Sequence, residues 1–471
     1  MAEKKQKTQL AIIGAGPGGY AAAFRAADLG IEVSLIDPKE HPGGVCLYHG
    51  CIPTKALLHF ADIREDVEQA QRWGLETGEL KVDVGKLRTW KEEVVGKLTR
   101  GLGQLTKSRK INYIRGKAVF SDTRRLEIAQ NDGENFTLDF EYAIVATGAS
   151  ARELPGLEFD HELILNARSA LELKEVPAKL LIVGAGYIGL EMGVIYQAMG
   201  SEVSFAEATS GIMPGSDAAL TDVIRKERRQ LLKDVRFNTK VVGAKKKKSK
   251  LAIDLENKNG KKETATFDKM LVAIGMQPNT KGIGLDRAGV QINEQGFIDV
   301  NEYRQTNSKG IYAIGDITGE PLLAHKASHE GRVAAEHIAG KKTAYEPKAI
   351  PSIVFIGMAW TGLTEEMAKK EGRDIRIASF PWSASGRATT MGAKHGVTRL
   401  IVDAETYRIL GAGFAGKNAE SLVAEATLAI EMGAVAKDLE LTIHPHPTLS
   451  ETIMEAAEMV YGQATHALKK K

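Results

Sequence analysis

Cysteine is nearly missing from this chain: of 471 residues only Cys46 and Cys51 are cysteines. So small a number excludes a disulfide-stapled secreted scaffold and leaves one local pair to be explained. Long apolar runs are missing as well. No stretch reaches the ~18 uncharged apolar residues that a membrane-spanning helix needs. A surplus of charge is also lacking, since 63 Lys and Arg stand against 60 Asp and Glu for a formal net charge of +3. Bulk electrostatics therefore point to neither nucleic acid nor a membrane surface. The opening MAEKKQKTQ has no apolar signal core and runs straight into a strand pattern, which makes the cytoplasm the expected compartment.

What the chain has is length, apolar residues and glycine. A chain of this size holds about three domains at roughly 150 residues each. The hydrophobic share of 43% is enough for several cores, and the 48 glycines gather in short clusters beside apolar runs. Such clusters mark backbone that approaches a ligand closely.

The main organising signal is an internal repeat. Residues 10–37 read LAIIGAGPGGYAAAFRAADLGIEVSLID, and residues 180–207 read LLIVGAGYIGLEMGVIYQAMGSEVSFAE. Alignment places Gly14, Gly16, Gly19 and Asp37 on Gly184, Gly186, Gly189 and Glu207. Each copy runs apolar strand, glycine turn, small-residue helix, second strand and terminal acid, which is a βαβ unit. A lone G-x-G-x-x-G is more often a simple tight turn. Here the strand, the helix and an acid about 20 residues on are all present twice, which indicates two dinucleotide-binding units. The first glycine makes the turn, the second admits a pyrophosphate, and the third lets helix and strand pack. The acid at the end of the second strand is suited to a ribose hydroxyl. Glu207 repels a 2′-phosphate and is followed by Ala208, Thr209 and Ser210 with no arginine, so NAD is favoured over NADP.

Between the repeats lie a polar helical region (about 55–105) and alternating strands (about 111–148). Strand patterns recur at MLVAIG (270–275) and YAIGD (312–316), and from about 350 the texture becomes α+β. The fold expected is α/β, with two Rossmann-like dinucleotide-binding domains and a C-terminal α+β dimerisation domain. The boundaries are read as 1–150, 151–280, a central 281–349, and 350–471. The lysine runs 245–248 and 469–471 read as a solvated hairpin and a frayed tail.

Three readings compete for C46-L-Y-H-G-C51. A structural disulfide closing so small a loop constrains little. A metal site needs further soft ligands, and no metal site is expected. A redox-active pair beside a dinucleotide-binding turn fits best. In a regular helix residues five apart lie about 8–9 Å apart, whereas a disulfide needs Cα atoms under about 7 Å. The segment is therefore expected to be distorted near Cys46, with Gly50 and Pro42-Gly43-Gly44 giving it room. Lys55 falls one helical turn after Cys51, placed to favour its thiolate. In isolation it reads more simply as a solvated helix lysine.

Near the other end, Pro447 is expected at the first position of a helix through TLSETIMEAAEM, with His446 just outside it. Glu451, just over one turn in, is then in reach of the imidazole and able to fix its tautomer. A lone histidine there is ordinarily a cap or a surface residue, and His444 reads as structural.

GGVCLYHGCIPTKALLH resembles the redox helix of the pyridine nucleotide–disulfide oxidoreductases, the dihydrolipoamide dehydrogenase branch above all. The resemblance continues through VATGAS (145–150), GYIGLE (186–191), VAIGMQPN (272–279), YAIGD, LAHKASHEG (323–331), FPWSASGRA (380–388) and HPHPTLSE (444–451). Glutathione reductases match less well and need the arginines missing after Glu207, and mercuric reductases carry a further cysteine pair absent here.

The resemblance implies FAD on the first βαβ unit through Gly14, Gly16, Gly19 and Asp37, with Asp316 near the ribityl or pyrophosphate region. It implies NAD on the second through Gly184, Gly186, Gly189 and Glu207. Gly116, Thr147, Gly148, Gly275 and Ala324 are further expected cofactor-binding positions. Lys55 is implied to pair with Glu191 beside the flavin, and His446 with Glu451 to form a dyad serving the partner subunit of a homodimer. The implied substrate is dihydrolipoamide on lipoyl domains, in the core of a 2-oxoacid dehydrogenase or glycine-cleavage complex. The alternatives are a related reductase acting on another disulfide, and a non-catalytic assembly subunit. Two departures stand out: Tyr48 and His49 lie between the cysteines, and Ile356-Gly357-Met358 shortens a family loop. His49 is a candidate for tuning the thiols.

Overall fold

The computed structural model describes residues 5–468; the tail lysines 469–471 lie outside the described residues. The first glycine unit builds a parallel sheet. In spatial order its strands are Asn112–Asp122, Val33–Asp37, Lys5–Ile13, Phe136–Val145 and Ile311–Ala313. The second half of Asn112–Asp122 and the first residues of Phe136–Val145 pair antiparallel with Arg125–Gln130. The short strand Ile311–Ala313 arrives from the central part of the chain and completes the first sheet. The helix that follows it, Ala324–Ile338, packs on the helix Pro17–Asp28, with Arg25 bonding Glu336 across the contact at 2.6 Å.

The second unit repeats the plan. Val235–Arg236, Glu202–Ala206, Lys179–Val183, Lys269–Val272 and Ile164–Leu165 form a parallel sheet. The glycine turns show why only glycine serves. Gly14 and Gly184 hold φ of +100° and +101°, and a Cβ on either would sit 2.4 Å from the carbonyl oxygen of Ala146 or Ala273. A Cβ on Gly19 or Gly189 would come within 1.9 or 2.1 Å of the Gly14 or Gly184 oxygen, so each helix presses directly on its own turn.

A three-stranded antiparallel sheet (Thr239–Lys247, Lys250–Asn257, Lys262–Phe267) carries the lysine run on its hairpin. That hairpin is exposed, yet it is tied down by Lys246 to Asp160 and Lys250 to Asp268, both at 2.8 Å. The C-terminal part is a five-stranded antiparallel sheet in the order Ser352–Val354, Met358–Gly362, Ile409–Ala415, Val397–Asp403 and Ile375–Pro381, with helices against it. The shortened stretch is a tight turn in its first hairpin, where Val354 pairs with Met358 and Gly357 holds φ +101°.

One apolar cluster fixes the geometry of the site. It joins Leu57 and Leu58 of the helix Cys51–Gln71 with Ile182 and Leu190 of the second glycine unit and with Val354, Ile356 and Met358 of the C-terminal hairpin. Burying these side chains together, at roughly 1.5–3 kcal/mol each, locks three parts of the chain around the redox segment. Among the described residues no helix is long and apolar enough to cross a membrane.

Candidate active site

The redox segment is two helices rather than one. Gly44–His49 ends at Gly50, whose backbone (φ −141°, ψ −113°) is not helical, and Cys51–Gln71 starts anew. The distortion expected near Cys46 thus falls at Gly50, beside Cys51. The reason is steric, because the stretch Gly43-Gly44 is already committed elsewhere. A Cβ on Gly44 would lie 2.5 Å from the Gly16 Cα, so this end of the segment lies against the first glycine turn. Gly50 takes up the remaining curvature.

Both cysteines are free thiols, half-buried, and hydrogen-bonded to each other. They divide the charge unequally. The bond from Cys46 and the nearby Lys55 ammonium, working against burial, bring the Cys51 thiol down to about 7. The same bond and then burial push Cys46 well above the ordinary thiol range. Cys51 is therefore the thiolate of the reduced pair.

Lys55 Nζ lies 2.9 and 3.1 Å from the two oxygens of Glu191, which is almost fully buried on the helix Tyr187–Ala198. A third partner comes from the shortened turn: the Phe355 amide donates to Glu191 Oε1 at 2.9 Å, and Lys55 Nζ sits 4.5 Å over the Phe355 ring. Phe355 was not visible as a site residue in the sequence. Nor was Tyr187, although it lies inside GYIGLE. Its phenol is pushed up to about 12 by burial and then by the negative charges of Asp316, Glu191 and Cys51.

His49 Nε2 is buried without a hydrogen-bond partner among the described residues. Burial and the charges of Arg168 and Lys39 hold its imidazole down at about 4, so it is neutral. The charges that act on Cys51 are those of Lys55 and Glu191. Tyr48 donates to the His41 carbonyl at 3.0 Å, away from the thiols.

The structure carries no ligand, but both glycine units present the features that a dinucleotide requires. Gly16 and Gly186 cap their helices with no side-chain cap bond, and nothing lies within 4 Å of a Cβ built on Gly186. Uncapped helix amides beside open glycine backbone suit a pyrophosphate. Asp37 accepts from the Ala15 and Lys39 amides at 2.9 Å each, and Glu207 accepts from Ala185 and Thr209 at 2.7 and 2.8 Å. Each acid thus ties the end of its second strand back to its own glycine turn. Burial lifts the Asp37 carboxyl above its usual range against those two amides. Asp316 is mostly buried and makes no side-chain hydrogen bond among the described residues, and burial raises its carboxyl. A partly buried carboxylate with no hydrogen-bond partner among the described residues fits a hydroxyl-bearing ligand.

A buried ion network shapes the Asp316 turn. Glu330 is fully buried, pairs with Arg304 at 3.0 Å and Lys326 at 3.3 Å, and accepts from the Gly315 amide at 2.6 Å. Lys326 donates to the Gly315 and Gly319 carbonyls at 3.1 and 2.9 Å. The motif LAHKASHEG lies on this helix. Ala324 is the first residue of that helix.

Thr147 and Gly148 stand where the chain leaves the first sheet. Thr147 Oγ1 donates to the Asn279 carbonyl at 2.8 Å, which holds the VATGAS and VAIGMQPN crossings side by side. Gly148 and Gly275 hold φ of +68° and +114°; a Cβ on Gly148 would meet nothing within 4 Å, and one on Gly275 only the Arg152 side chain at 4.0 Å. Gly116 is enclosed: it sits next to Arg115, which pairs with Asp37, and a Cβ on it would strike the Ala129 carbonyl at 2.5 Å. The structure gives Gly116 a packing reason.

At the other end, His446 Nδ1 lies 2.9 Å from Glu451 Oε1, and the imidazole is 73% exposed. The route differs from the one expected. The helix spans Glu451–Val460, so Pro447 lies outside it and Glu451 is its first residue rather than a turn inside it. Glu451 Oε2 accepts the Thr448 amide at 2.7 Å, and Thr448 Oγ1 bonds the Pro445 carbonyl at 2.8 Å. These bonds close a turn over 445–448 and delay the helix. His444 is enclosed, with Nε2 2.8 Å from Glu425. Around this end Leu428, Met432, Leu441 and Ile443 are exposed, an apolar surface that requires cover.

Comparison with known proteins agrees with these features. Residues 8–331 match the model of the pyridine nucleotide-disulphide oxidoreductases, and residues 350–457 match their dimerisation domain. The chain is 44% identical over 464 residues to a dihydrolipoyl dehydrogenase of Haemophilus influenzae, covering 98% of this chain and 97% of that one. It is 45% identical over 465 residues to one of Thermus scotoductus, covering 98% and 99%. Among solved structures it is similar to LpdA of Mycobacterium tuberculosis (TM-score 0.88, 25% identity, 96% and 99% covered). It is also similar to the flavoprotein disulfide reductase RclA of Escherichia coli (TM-score 0.85, 28% identity, 97% and 100% covered).

Proposed function

The chain belongs to the pyridine nucleotide-disulphide oxidoreductase family, and on that premise we propose that it oxidises dihydrolipoamide to lipoamide with FAD and NAD, the activity for which its full-length relatives are named. The observation that carries this reading is the split of the thiol pair beside the Lys55–Glu191 ion pair, with Cys51 as thiolate and Cys46 as its protonated partner.

In the oxidised enzyme Cys46 and Cys51 form a disulfide. The partner subunit's His446, held by its Glu451, takes a proton from one substrate thiol at Nε2. The thiolate attacks Cys46 Sγ, the Cys46–Cys51 bond breaks, and Cys51 leaves as the thiolate that Lys55 stabilises. The second substrate thiol loses its proton and attacks the substrate sulfur of the mixed disulfide. Cyclic lipoamide is released, and Cys46 takes a proton. The protein pair then holds the two electrons lost by the substrate. Bound FAD supplies the two-electron acceptor that reoxidises the pair, and NAD the final hydride acceptor.

The dimerisation-domain match makes the working unit a homodimer, and the exposed Leu428, Met432, Leu441 and Ile443 supply apolar surface for it. Lipoyl domains of a 2-oxoacid dehydrogenase or glycine-cleavage complex are the proposed macromolecular substrates, in the cytoplasm. The remaining site assignments, Gly14, Gly16, Gly19, Asp37, Thr147, Gly148, Asp316 and Ala324 toward FAD and Gly184, Gly186, Gly189, Glu207 and Gly275 toward NAD, rest on the open glycine turns and the unpartnered Asp316. Gly116 is proposed only through its position next to Asp37's partner in the sheet.

Anaerobic addition of dihydrolipoamide to the purified holoenzyme, followed by NAD, tests the reading. Loss of the oxidised flavin absorbance and then formation of NADH are expected. A flavoprotein that responds to NADH and ignores dihydrolipoamide keeps the family and sinks this substrate.

A further inference from the structure

The motif FPWSASGRA lies outside the redox segment, yet its tryptophan is tied to the His446–Glu451 pair. Trp382 is fully buried against two glycines: a Cβ on Gly396 or Gly416 would come within 2.5 or 2.4 Å of its ring. Its backbone amide donates to the Gly396 carbonyl at 2.9 Å. Packed this closely, the indole is a fixed point of the C-terminal sheet.

A chain of hydrogen bonds starts from it. Trp382 Nε1 donates to Thr398 Oγ1 at 2.9 Å, and the hydroxyls of Thr398 and Thr452 lie 2.7 Å apart. Thr452 Oγ1 then donates to the Leu449 carbonyl at 2.6 Å. Both threonines are fully buried. The ends of the chain fix its direction, because an indole N–H can only donate and a carbonyl can only accept. Thr452 gives its one proton to Leu449, so the Thr398 proton goes to Thr452. Each hydroxyl therefore receives one bond and makes one, and removing either leaves a buried polar group without its partner.

The chain joins the sheet to the dyad. Thr398 belongs to the strand Val397–Asp403, and Thr452 directly follows Glu451 in the helix Glu451–Val460. The Leu449 carbonyl also accepts the Thr452 amide at 3.0 Å, and the Ser450 carbonyl accepts the Ile453 amide at 2.9 Å. The turn that contains Glu451 is thus anchored from the sheet side. On its other side the Glu451 carboxylate holds the Thr448 amide and His446 Nδ1.

We propose that Thr452, with Thr398 behind it, is a positioning residue for the thiol chemistry: its hydroxyl seats the turn 449–452 on the sheet and so fixes where the Glu451 carboxylate meets His446. This rests on the reading of His446 as the base. Glu451 accepts the Nδ1–H of His446, which fixes the tautomer and leaves Nε2 free to take the substrate proton. A displaced Glu451 therefore displaces the base. Thr452 touches no reactant and acts through Glu451.

The test compares wild type with T452V, T452S, T398V, H446Q and the double variant H446Q/T452V in the full-length holoenzyme. Dihydrolipoamide oxidation and NADH-to-dye electron transfer are followed in each. T452V keeps the shape of the side chain and removes the hydroxyl. It is expected to lower dihydrolipoamide turnover about tenfold, within the ~100-fold that misplacing a group by about an ångström costs. Dye transfer should be unchanged. T452S keeps the hydroxyl and should return turnover toward wild type. T398V breaks the chain one link earlier and should act as T452V does, so the proposal is tested even where T452V does not fold. On the H446Q background T452V should bring no further loss, because residues that act as a unit are not additive. A T452V or T398V enzyme that oxidises dihydrolipoamide like wild type overturns the proposal. So does a T452S as slow as T452V. An equal loss in both assays, or the same further loss on H446Q, marks a merely structural role and overturns it too. If H446Q alone matches wild type, the base assignment itself fails; if it is defective while T452V and T398V are normal, only the role of Thr452 fails.

Discussion

Lys55 and Glu191 lie 136 residues apart in the chain and 2.9 Å apart in the structure, with the Phe355 amide on the same carboxylate. Three separate parts of the sequence converge on one ammonium–carboxylate contact: the redox helix, the helix of the second glycine unit and the C-terminal hairpin. The contact sets the charge beside Cys51. The Cys46 hydrogen bond lowers the Cys51 thiol most, against burial, and the Lys55 ammonium lowers it further while Glu191 works to raise it.

Replacing Lys55 with Met removes that ammonium and moves the Cys51 thiol upward. Alkylation of the reduced pair by iodoacetamide at neutral pH should slow by about fivefold, since one pKa unit above the Cys51 value takes the thiolate fraction there from roughly a half to roughly a tenth. Dihydrolipoamide oxidation should fall with it. An unchanged alkylation rate would remove Lys55 from the thiol chemistry.

The pH profile of alkylation in the wild-type protein follows from the same shift. Cys51 is an acid whose value is lowered to about 7 from 9.0, so its thiolate is present above that value and is lost as pH falls through it. The rate should rise about tenfold per pH unit below the midpoint and level off roughly one unit above it. A midpoint at the ordinary thiol value would contradict the assignment of the thiolate to Cys51.

The two cysteines should behave differently when replaced. C51S should retain flavin and lose dihydrolipoamide oxidation, because no disulfide partner remains for Cys46. C46S should also lose that activity, yet keep a thiol that alkylates readily at neutral pH. Mass spectrometry of the labelled proteins reads the difference, and slow labelling of C46S alongside fast labelling of C51S would reverse the roles.

His446→Gln should slow dihydrolipoamide oxidation by about a hundredfold or more, the usual contribution of a positioned base. NADH-to-dye transfer should be spared, since it needs no substrate thiol. Parallel losses in both assays would count against the base.

Glu330→Gln leaves Arg304 and Lys326 buried without their anion. Breaking one side of a buried ion network costs about 3–5 kcal/mol. The unfolding midpoint in urea should drop accordingly, and the Asp316 turn should hold flavin less firmly on desalting. A wild-type midpoint would show that the charge is not what holds this turn.

The sequence alone was sufficient for the features that depend on neighbours in the chain. Gly19 and its counterpart Gly189 were legible because the backbone each presses on, the Gly14 or Gly184 carbonyl, lies five residues away in the same motif. The spacing of Cys46 and Cys51 demanded a break in the helix, and the acids Asp37 and Glu207 were recognisable from their place at a strand end. The α/β class, the C-terminal α+β part and the family resemblance all followed from such local patterns. Tertiary structure alone decided the rest. It set the break at Gly50, because Gly44 is pressed against Gly16, and it started the last helix at Glu451, because Thr448 and Pro445 close a turn first. It made a buried network of Glu330, Lys326 and Arg304, brought Phe355 to Glu191, and folded His466 back on Glu455. A hydrogen bond or an ion pair acts over a few ångströms of space, and a side chain's partners at that range are chosen by packing, which periodicity and spacing do not record.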